Sequence, residues 1–257
     1  MDLLPKIALT LGDVAGIGPE VVVCACLDDR VRSACQPVVV GHPEVVRRAV
    51  SYVGAQVDVA ELSQAHDPVP SDQIACWIPP GSSSDVVEVP LGQNDRRAGQ
   101  AAFEYLVAAT QETLKETFAA ITTAPLSKAA LHLAGHHYPG HTEILAELCG
   151  VTDFGMMLYL PSSSTVSSST VKSSDGLGVV HVTLHTSIRS VPDLITTTGV
   201  LEKIELIQHF MQRVGCAAPR VAVCALNPHA GEEGLFGDEE SRVIAPAIRA
   251  AQERSRL

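Results

Sequence analysis

The sequence predicts an α/β protein built around a largely parallel sheet. Short apolar runs rich in β-branched residues alternate along the chain with segments of helical periodicity, and this order is typical of βαβ units. The chain has 257 residues, of which 46% are hydrophobic, so it can bury a sizeable core in one large domain or in two smaller ones. We therefore expect a globular protein.

The first half of the chain carries the clearest alternation. Two helices are expected to begin at prolines, Pro19 and Pro43, each after a strand, because proline suits the first turn of a helix. Ser127 has the position of an N-cap before the helical segment "KAALHLAG". The other elements predicted up to that point are strands within 6–13, 37–41 and 118–125, and a long amphipathic helix over 96–116.

The second half continues the same alternation. Apolar runs predict strands at Phe154–Leu160, Gly178–Ile188 and Arg220–Leu226. Helices are expected over 141–150, over 192–214 and from Asp238 to the end of the sequence. The serine-rich stretch 161–174 is interpreted as a flexible hairpin tip or mobile loop, or as a cover for a site.

Charge and composition exclude some classes of function. A net charge of −11 and a pI near 5.3 argue against nucleic-acid binding, which needs a basic surface, so small molecules or proteins are the favoured partners. No apolar run approaches the ~18 residues of a membrane span, and the N-terminus lacks the pattern of a signal peptide. Seven cysteines without a C-x-x-C pair fit a reducing cytoplasm.

The loop after the first strand, "LGDVAGIGPE", carries Gly12, Gly16 and Gly18. These glycines either let backbone amides approach an anion at the helix N-terminus or serve only a tight turn at positive φ. Lys128, just after the strand within 118–125, either pairs with a phosphate or carboxylate or is a solvated lysine. The G-x-G-x-x-G fingerprint of dinucleotide-binding proteins is absent, and so are the serine hydrolase, P-loop and zincin motifs.

Histidines are the strongest chemical signal. The loop "GHHYPGH" places His141 and Thr142 at a helix N-terminus, where they bind an anionic group or where Thr142 only caps the helix. His185 and His229 are expected at the carboxyl ends of two strands, where ligands gather in open α/β sheets. Because imidazoles suit Zn²⁺ and similar ions, these two are half of a metal site or two solvated histidines. His181 is interpreted as a core or sheet histidine.

His229 belongs to the segment "LNPHAGEEGLFGDEE", residues 226–240, which has more glycines and carboxylates than a simple turn after a strand needs. Its glycines permit a tight path that presents the histidine. Its carboxylates either supplement a metal site or, at the end of the segment, form the first turn of the last helix and complement the helix dipole. They are Glu232, Glu233, Asp238, Glu239 and Glu240.

Five segments in this order and spacing resemble the 4-hydroxythreonine-4-phosphate dehydrogenase family of pyridoxal phosphate biosynthesis: "LTLGDVAGIGPE", "TTAPLSK", "YPGHTEILAE", "HVTLHTSIRSV" and "LNPHAGEEGLFGDEE". The resemblance covers essentially the whole chain. It implies two α/β/α subdomains with a cleft between them, as in isocitrate and isopropylmalate dehydrogenases. Residues 1–127 would form the first subdomain, completed in the family by a C-terminal segment, and residues 128–257 a second one with metal-binding and dimer-forming elements.

The resemblance also implies a reaction. An enzyme that depends on NAD or NADP and on a divalent metal (Zn, Mg or Co) would oxidise 4-phosphooxy-L-threonine to a 3-keto acid, which decarboxylates to 3-amino-2-oxopropyl phosphate. By motif match, His141 and Thr142 would bind substrate, His185 and His229 would bind the metal, and Lys128 would be the catalytic candidate. The family forms cytoplasmic homodimers. No cofactor-binding residue is assigned.

Two alternatives stay open. One is the sister group that oxidises D-threonate or D-erythronate 4-phosphate in sugar-acid catabolism. The other is a non-catalytic binding or dimerisation remnant. Family members continue past the position of Leu257, so the sequence is expected to be part of a longer chain, the product of a truncated gene, or a degenerate protein that folds and binds without catalysis, and the unfinished βα series favours the first two. The further segment of the family members holds an H-D-Q-G motif, whose histidine is the third metal ligand, together with substrate-binding lysine, asparagine and arginine residues and part of the cofactor site.

Overall fold

The computed structural model describes residues 4–161 and 176–254. The chain divides into two compact units, Met1–Val151 and Thr152–Leu257, which we call unit 1 and unit 2. This division falls later in the chain than the subdomain boundary expected after residue 127. Apart from Pro161, the serine-rich stretch interpreted above as a loop or a cover lies outside the described residues.

The described residues form seven strands and nine α-helices. The strands are β1 Lys6–Thr10, β2 Gln36–Val40, β3 Val59–Leu62, β4 Ile74–Trp77, β5 Ala120–Thr123, β6 Met157–Leu160 and β7 Leu177–Val180. The helices are α1 Gly18–Leu27, α2 Asp29–Ala34, α3 Pro43–Tyr52, α4 Arg96–Leu114, α5 Lys128–Leu133, α6 His141–Cys149, α7 Val191–Leu194, α8 Thr197–Arg213 and α9 Ala245–Arg254. Short 3₁₀ turns cover Ser84–Glu88, Ile188–Ser190 and Glu232–Gly234, and a π-helical turn at Glu240–Ile244 leads into α9.

Unit 1 is built on a five-stranded parallel sheet in the order β3-β4-β2-β1-β5. β1 lies between β2 and β5, with Ile7 opposite Pro37 on one side and Ala120 on the other. The three strands predicted in this part of the chain are therefore confirmed, and β3 and β4 add two that were not predicted. The α/β fold class with a parallel sheet is confirmed.

The inner strands of this sheet are buried on both faces. Val38, Val39 and Val40 of β2 are each 0% exposed, as expected for a parallel strand covered by helices on both sides. Tyr105 of α4 and Phe118, just before β5, fill the same core with 0% and 1% exposure. This core fixes the carboxyl edge of the sheet, where the loops after β1 and β5 lie.

Helices α5 and α6 pack against α4, and this packing explains where unit 1 ends. A side chain at Gly99 of α4 would overlap the backbone carbonyl of Ala130 in α5, so the two helices touch through their backbones. Leu106, Leu131 and Ile144, one from each of the three helices, form a buried cluster. Residues 128–151 are therefore tied to the first unit rather than to the second.

Unit 2 contains an antiparallel ribbon of β6 and β7 and the helices α8 and α9. One face of the ribbon packs on α8, where Met157 and Val180 contact Ile207 and Met211. The other face is apolar and exposed: it consists of the cross-strand pairs Leu158 with Val179 and Leu160 with Leu177. A second small core lies between α8 and α9.

One strand prediction in unit 2 was confirmed only over its first residues, and another was wrong. The strand expected over 178–188 ends at Val180, so His181 and His185 lie beyond it instead of in and at the end of it. Residues 220–226 form no strand, although their sequence is apolar and β-branched, because no neighbouring strand pairs with them among the described residues. Within the described ranges, no helix has the length and apolarity needed to cross a membrane.

Candidate active site

The loop after β1 turns back sharply onto the end of β5. The amide of Asp13 donates to the carbonyl of Pro125 at 2.9 Å, and a side chain at Gly12, whose φ is +62°, would overlap that carbonyl. The requirement for glycine at position 12 is therefore the close approach of two backbones, which favours the tight-turn interpretation of this residue.

Asp13 brings a carboxylate to this edge of the sheet. Its Oδ1 accepts a hydrogen bond from the amide of Ala15 at 2.9 Å. Burial raises the pKa of the Asp13 carboxyl, and the Ala15 amide opposes that rise in part. Sequence reasoning did not select Asp13, although its place directly after a buried strand was the available signal.

Lys128 occupies the first position of α5, at the same edge of the sheet. Ser127 caps this helix as predicted: its hydroxyl accepts from the amide of Ala130 at 3.2 Å and donates to the side-chain oxygen of Asn94 at 2.6 Å. The Lys128 side chain is exposed. A cation at the positive end of a helix is unfavourable for the helix itself, so this ammonium group adds to a field that attracts anions.

His141 and Thr142 are the first two residues of α6, as predicted. The N-cap is Gly140, which offers no side chain, so the role of Thr142 is not that of a capping residue. The first amides of a helix have no partner inside the helix and can bind an anion. His141 is half-buried, and burial lowers the pKa of its imidazole, so the ring is neutral near pH 7 and offers one donor and one acceptor.

The loop before α6 is fixed to α4 by an imidazole stack. The ring of His136 lies 3.7 Å from that of Phe103, nearly parallel at 15°, and its Nε2 is 2.9 Å from the side-chain oxygen of Gln100. Farther along, the Tyr138 hydroxyl donates to Glu147 of α6 at 2.9 Å. The sequence predicts only a loop for residues 135–140, and these contacts hold the start of α6 in place.

His185 lies on an exposed bend between β7 and α7. Its φ is +48°, which lies in the left-handed region that residues other than glycine rarely adopt. The sequence predicts that His185 lies at the carboxyl end of a strand, but β7 ends at Val180, five positions earlier.

His229 lies on the loop that precedes α9, and its side chain is 65% exposed. Its ring centroid is 5.2 Å from that of Phe236, and its Nδ1 is 4.0 Å from a carboxylate oxygen of Glu232. The backbone amides of His229 and Gly231 both donate to the side-chain oxygen of Asn227, at 2.9 and 3.3 Å. The histidine is thus held by its backbone, while its imidazole faces outward.

Unusual backbone conformations concentrate on the two histidine loops. Among the described residues, five that are not glycine have a positive φ, and four of them are His185, Ala230, Glu232 and Glu233. Each such residue costs of order 1–3 kcal/mol, and such conformations persist where the surrounding structure enforces them. They cluster at functional sites in proteins.

The imidazole nitrogens of His185 and His229 are suitable ligands for a transition metal, but these two residues alone do not complete a metal site. Within residues 4–161 and 176–254, no group of three or more histidine, cysteine, aspartate or glutamate side chains comes together in a way that could hold a metal ion. A catalytic zinc ion is usually held by three protein ligands with a fourth position for water or substrate. His185 and His229 can supply two of those ligands.

The predicted site residues are divided between the two units. Lys128, His141 and Thr142 belong to unit 1, and each lies at the start of a helix. His185 and His229 belong to unit 2, and both lie on loops outside regular strands. The candidate residues of unit 1 therefore lie at helix N-termini, whereas those of unit 2 are imidazoles on loops.

Similar proteins cover nearly the whole chain. Residues 33–256 match the family model described as pyridoxal phosphate biosynthetic protein PdxA. The chain is 39% identical to a 4-hydroxythreonine-4-phosphate dehydrogenase of Trichlorobacter lovleyi, over 96% of this chain and 70% of that protein. It is 40% identical to a D-threonate 4-phosphate dehydrogenase of Cupriavidus necator, over 99% and 72%. A crystal structure of a 4-hydroxythreonine-4-phosphate dehydrogenase from Klebsiella pneumoniae superposes with a TM-score of 0.85 at 36% identity, covering 99% of this chain and 73% of that one.

Proposed function

The chain belongs to the PdxA family, and on that premise we propose that it is a dehydrogenase of a phosphorylated hydroxy acid. The proposed substrate is 4-phosphooxy-L-threonine, which would be oxidised with NAD or NADP to a 3-keto acid. Loss of carbon dioxide would then give 3-amino-2-oxopropyl phosphate, in pyridoxal 5'-phosphate biosynthesis. The main support is the match to two relatives named 4-hydroxythreonine-4-phosphate dehydrogenase, over 96% and 97% of this chain.

Unit 1 offers the groups that a phosphorylated acid requires. The first amides of α6, which have no partner inside the helix, and the Thr142 hydroxyl can bind a phosphate or carboxylate oxygen, and the Lys128 ammonium group would supply a compensating charge. The neutral imidazole of His141 can accept a hydrogen bond from a substrate hydroxyl or donate one to an anionic oxygen. We assign these three residues to substrate binding, with Lys128 as the catalytic candidate.

Unit 2 offers the imidazoles for a divalent metal, Zn, Mg or Co. When bound, such an ion lowers the pKa of a chelated hydroxyl group and stabilises the negative charge on its oxygen. We assign His185 and His229 as two of the ligands. The nicotinamide would carry the hydride, so the task of the protein is orientation and electrostatics. Cofactor-binding residues are left unassigned.

A second candidate substrate is D-threonate 4-phosphate. The relative from Cupriavidus necator that carries this name is as similar to the chain as the relative named for 4-hydroxythreonine 4-phosphate. The two substrates share the phosphate, the carboxylate and the hydroxyl that is oxidised, and they differ by an amino group against a hydroxyl at C2. None of the residues assigned above discriminates between these two groups.

The test is the rate of NAD and NADP reduction with each substrate, with and without added Zn²⁺, Mg²⁺ or Co²⁺. We expect faster turnover of 4-phosphooxy-L-threonine, and a loss of about 10²-fold in kcat/KM for Lys128→Ala, comparable to the loss of one positioned charge. Lys115→Ala is the matched control, because Lys115 is an exposed lysine at the end of α4 whose partner is Glu112. Equal rates for Lys128→Ala and the wild type would contradict the assignment of Lys128.

Other outcomes separate the alternatives. Preference for D-threonate or D-erythronate 4-phosphate would replace the first substrate with the second. Absence of turnover with any of these substrates, together with no binding of divalent metal by calorimetry, would favour a non-catalytic binding or dimerisation remnant. The proposal includes a homodimer in the cytoplasm, and sedimentation equilibrium of the purified protein tests the dimer.

A further inference from the structure

The hydrogen bonds at the start of the His229 loop converge on one carboxylate. Oε1 of Glu240 accepts from the backbone amides of Leu226 at 2.9 Å and Asn227 at 3.4 Å. Glu240 begins the π-helical turn that leads into α9, so its bonds reach back across the whole loop. Its other oxygen, Oε2, is buried and has no hydrogen-bond partner within the described residues. The carboxylate therefore faces the backbone at residues 226 and 227.

The side chain of Asn227 passes this constraint on to His229. Its Oδ1 accepts from the amides of His229 and Gly231, and its Nδ2 donates to the carbonyl of Phe236 at 3.2 Å. Glu240 thus fixes the backbone of Asn227, and Asn227 fixes the backbone of His229 and joins both sides of the loop. The connection consists of hydrogen bonds at every step.

Apart from the short 3₁₀ turn at Glu232–Gly234 and neighbouring backbone turns, no strand or helix of the described residues holds this loop. The preceding residues 220–226 form no strand, and three residues of the loop, Ala230, Glu232 and Glu233, have a positive φ. Conformations of this kind relax when the contacts around them are removed. Hydrogen bonds to a carboxylate are stronger than those between neutral groups, so the two that Glu240 accepts are expected to contribute strongly to the order of the loop.

We propose that Glu240 is a positioning residue for His229. Its carboxylate, acting through Asn227, fixes the backbone from which the imidazole projects, and it is not a metal ligand itself. The sequence offers two roles for Glu240, as a supplement to a metal site or as a first-turn residue that complements the helix dipole. Its contacts with the amides of Leu226 and Asn227 indicate a different role. The inference rests on the proposed function in one respect, the assignment of His229 as a ligand.

The first measurement does not depend on metal. Hydrogen–deuterium exchange of the full 257-residue protein compares the wild type with Glu240→Ala, Glu240→Gln and the control Glu253→Gln, an exposed carboxylate on α9. In Glu240→Ala we expect exchange over 226–231 to rise at least about tenfold, because both hydrogen bonds to the carboxylate are lost, while α8 and the ribbon stay unchanged. Glu240→Gln keeps an oxygen that accepts from both amides and restores part of the protection.

The second measurement is calorimetric titration with Zn²⁺ alone. Glu240→Ala is expected to bind Zn²⁺ about tenfold more weakly than the wild type, as for the loss of an outer partner of a metal ligand, and Glu240→Gln less so. Unchanged exchange over 226–231 in Glu240→Ala would overturn the inference, and so would a uniform rise throughout unit 2, since that indicates only general destabilisation. A local rise in a protein that binds no Zn²⁺ would support the positioning role and refute the metal assignment.

Discussion

Units 1 and 2 hold their candidate site residues by different physical means. In unit 1, Lys128 follows a strand of a parallel sheet whose inner valines are 0% exposed, and the loop before His141 and Thr142 is stacked on α4. In unit 2 the ribbon of β6 and β7 leaves Leu158 and Leu160 at 58% and 60% exposure, and the His229 loop is held by side-chain hydrogen bonds. Tertiary packing thus fixes one set of residues, and a few polar contacts fix the other.

The difference predicts how each unit responds to substitution. A loop held by a packed sheet depends on shape, so a small steric change in the core is costly and a change of polar group is less so. A loop held by a carboxylate and an amide depends on single groups, so its order can be lost without loss of the fold. The following predictions test this contrast, in order of decreasing effect.

The largest effect is expected for Gly99→Ala in unit 1. The new methyl group would overlap the carbonyl of Ala130, so α5 must move away from α4, at a cost of about 3 kcal/mol in the free energy of unfolding. The control is Gly199→Ala in α8 of unit 2, where the nearest atom is the Thr196 hydroxyl at 3.1 Å and alanine improves helix propensity. We expect that variant to lie within about 1 kcal/mol of the wild type by urea denaturation. Similar losses for both would remove the contrast.

A smaller effect is expected from pH. Burial lowers the pKa of His141 below its usual value of 6.5, so below that pH the unfolded chain binds more protons at this site than the folded chain. The free energy of unfolding should therefore fall as the pH drops below about 6.5 and towards the lower folded-state pKa, and it is fully retained above that window. In His141→Asn the decline should be shallower, because the contribution of His141 is removed. It should not disappear, because the contributions of the other histidines remain. Parallel pH profiles for the two proteins would argue against burial of this ring.

The smallest effect on stability is expected for His229→Ala in unit 2. Its side chain is 65% exposed, so the free energy of unfolding should stay within about 0.5 kcal/mol of the wild type. Binding of Zn²⁺ should weaken strongly, whereas the control His209→Ala, which alters an exposed histidine of α8, should leave it unchanged. Equal Zn²⁺ affinity for both variants would contradict the role of His229 as a ligand.

Strand predictions held in both units where an apolar run has a neighbour to pair with, although β3 and β4 of unit 1 were not predicted. The strands at β1, β2 and β5 have neighbours in one sheet, so their apolar runs and their pairing agree. Residues 220–226 have the same composition without a neighbour, and a strand is stabilised by cross-strand pairs rather than by composition alone. β7 likewise ends at Val180, the last of its residues that pairs with β6.

The sequence located the candidate site residues but not what holds them. Helix N-termini at Lys128 and His141 follow from local signals, a serine N-cap and a loop rich in glycine and proline. The contacts of Glu240 with Leu226, and of His136 with Phe103, join residues 14 and 33 positions apart, and no spacing rule links such pairs. Roles of this kind become visible only when the fold has placed the partners together.

The backbone contact between α4 and α5 also restricts the mutations open to this chain. Every single-base change that replaces a glycine codon by another amino acid introduces a side chain, so no one-step mutation at Gly99 leaves its contact with Ala130 intact. A tolerated change there would need α5 to shift first. The packing of α5 against α4 at this point is therefore closed to gradual change.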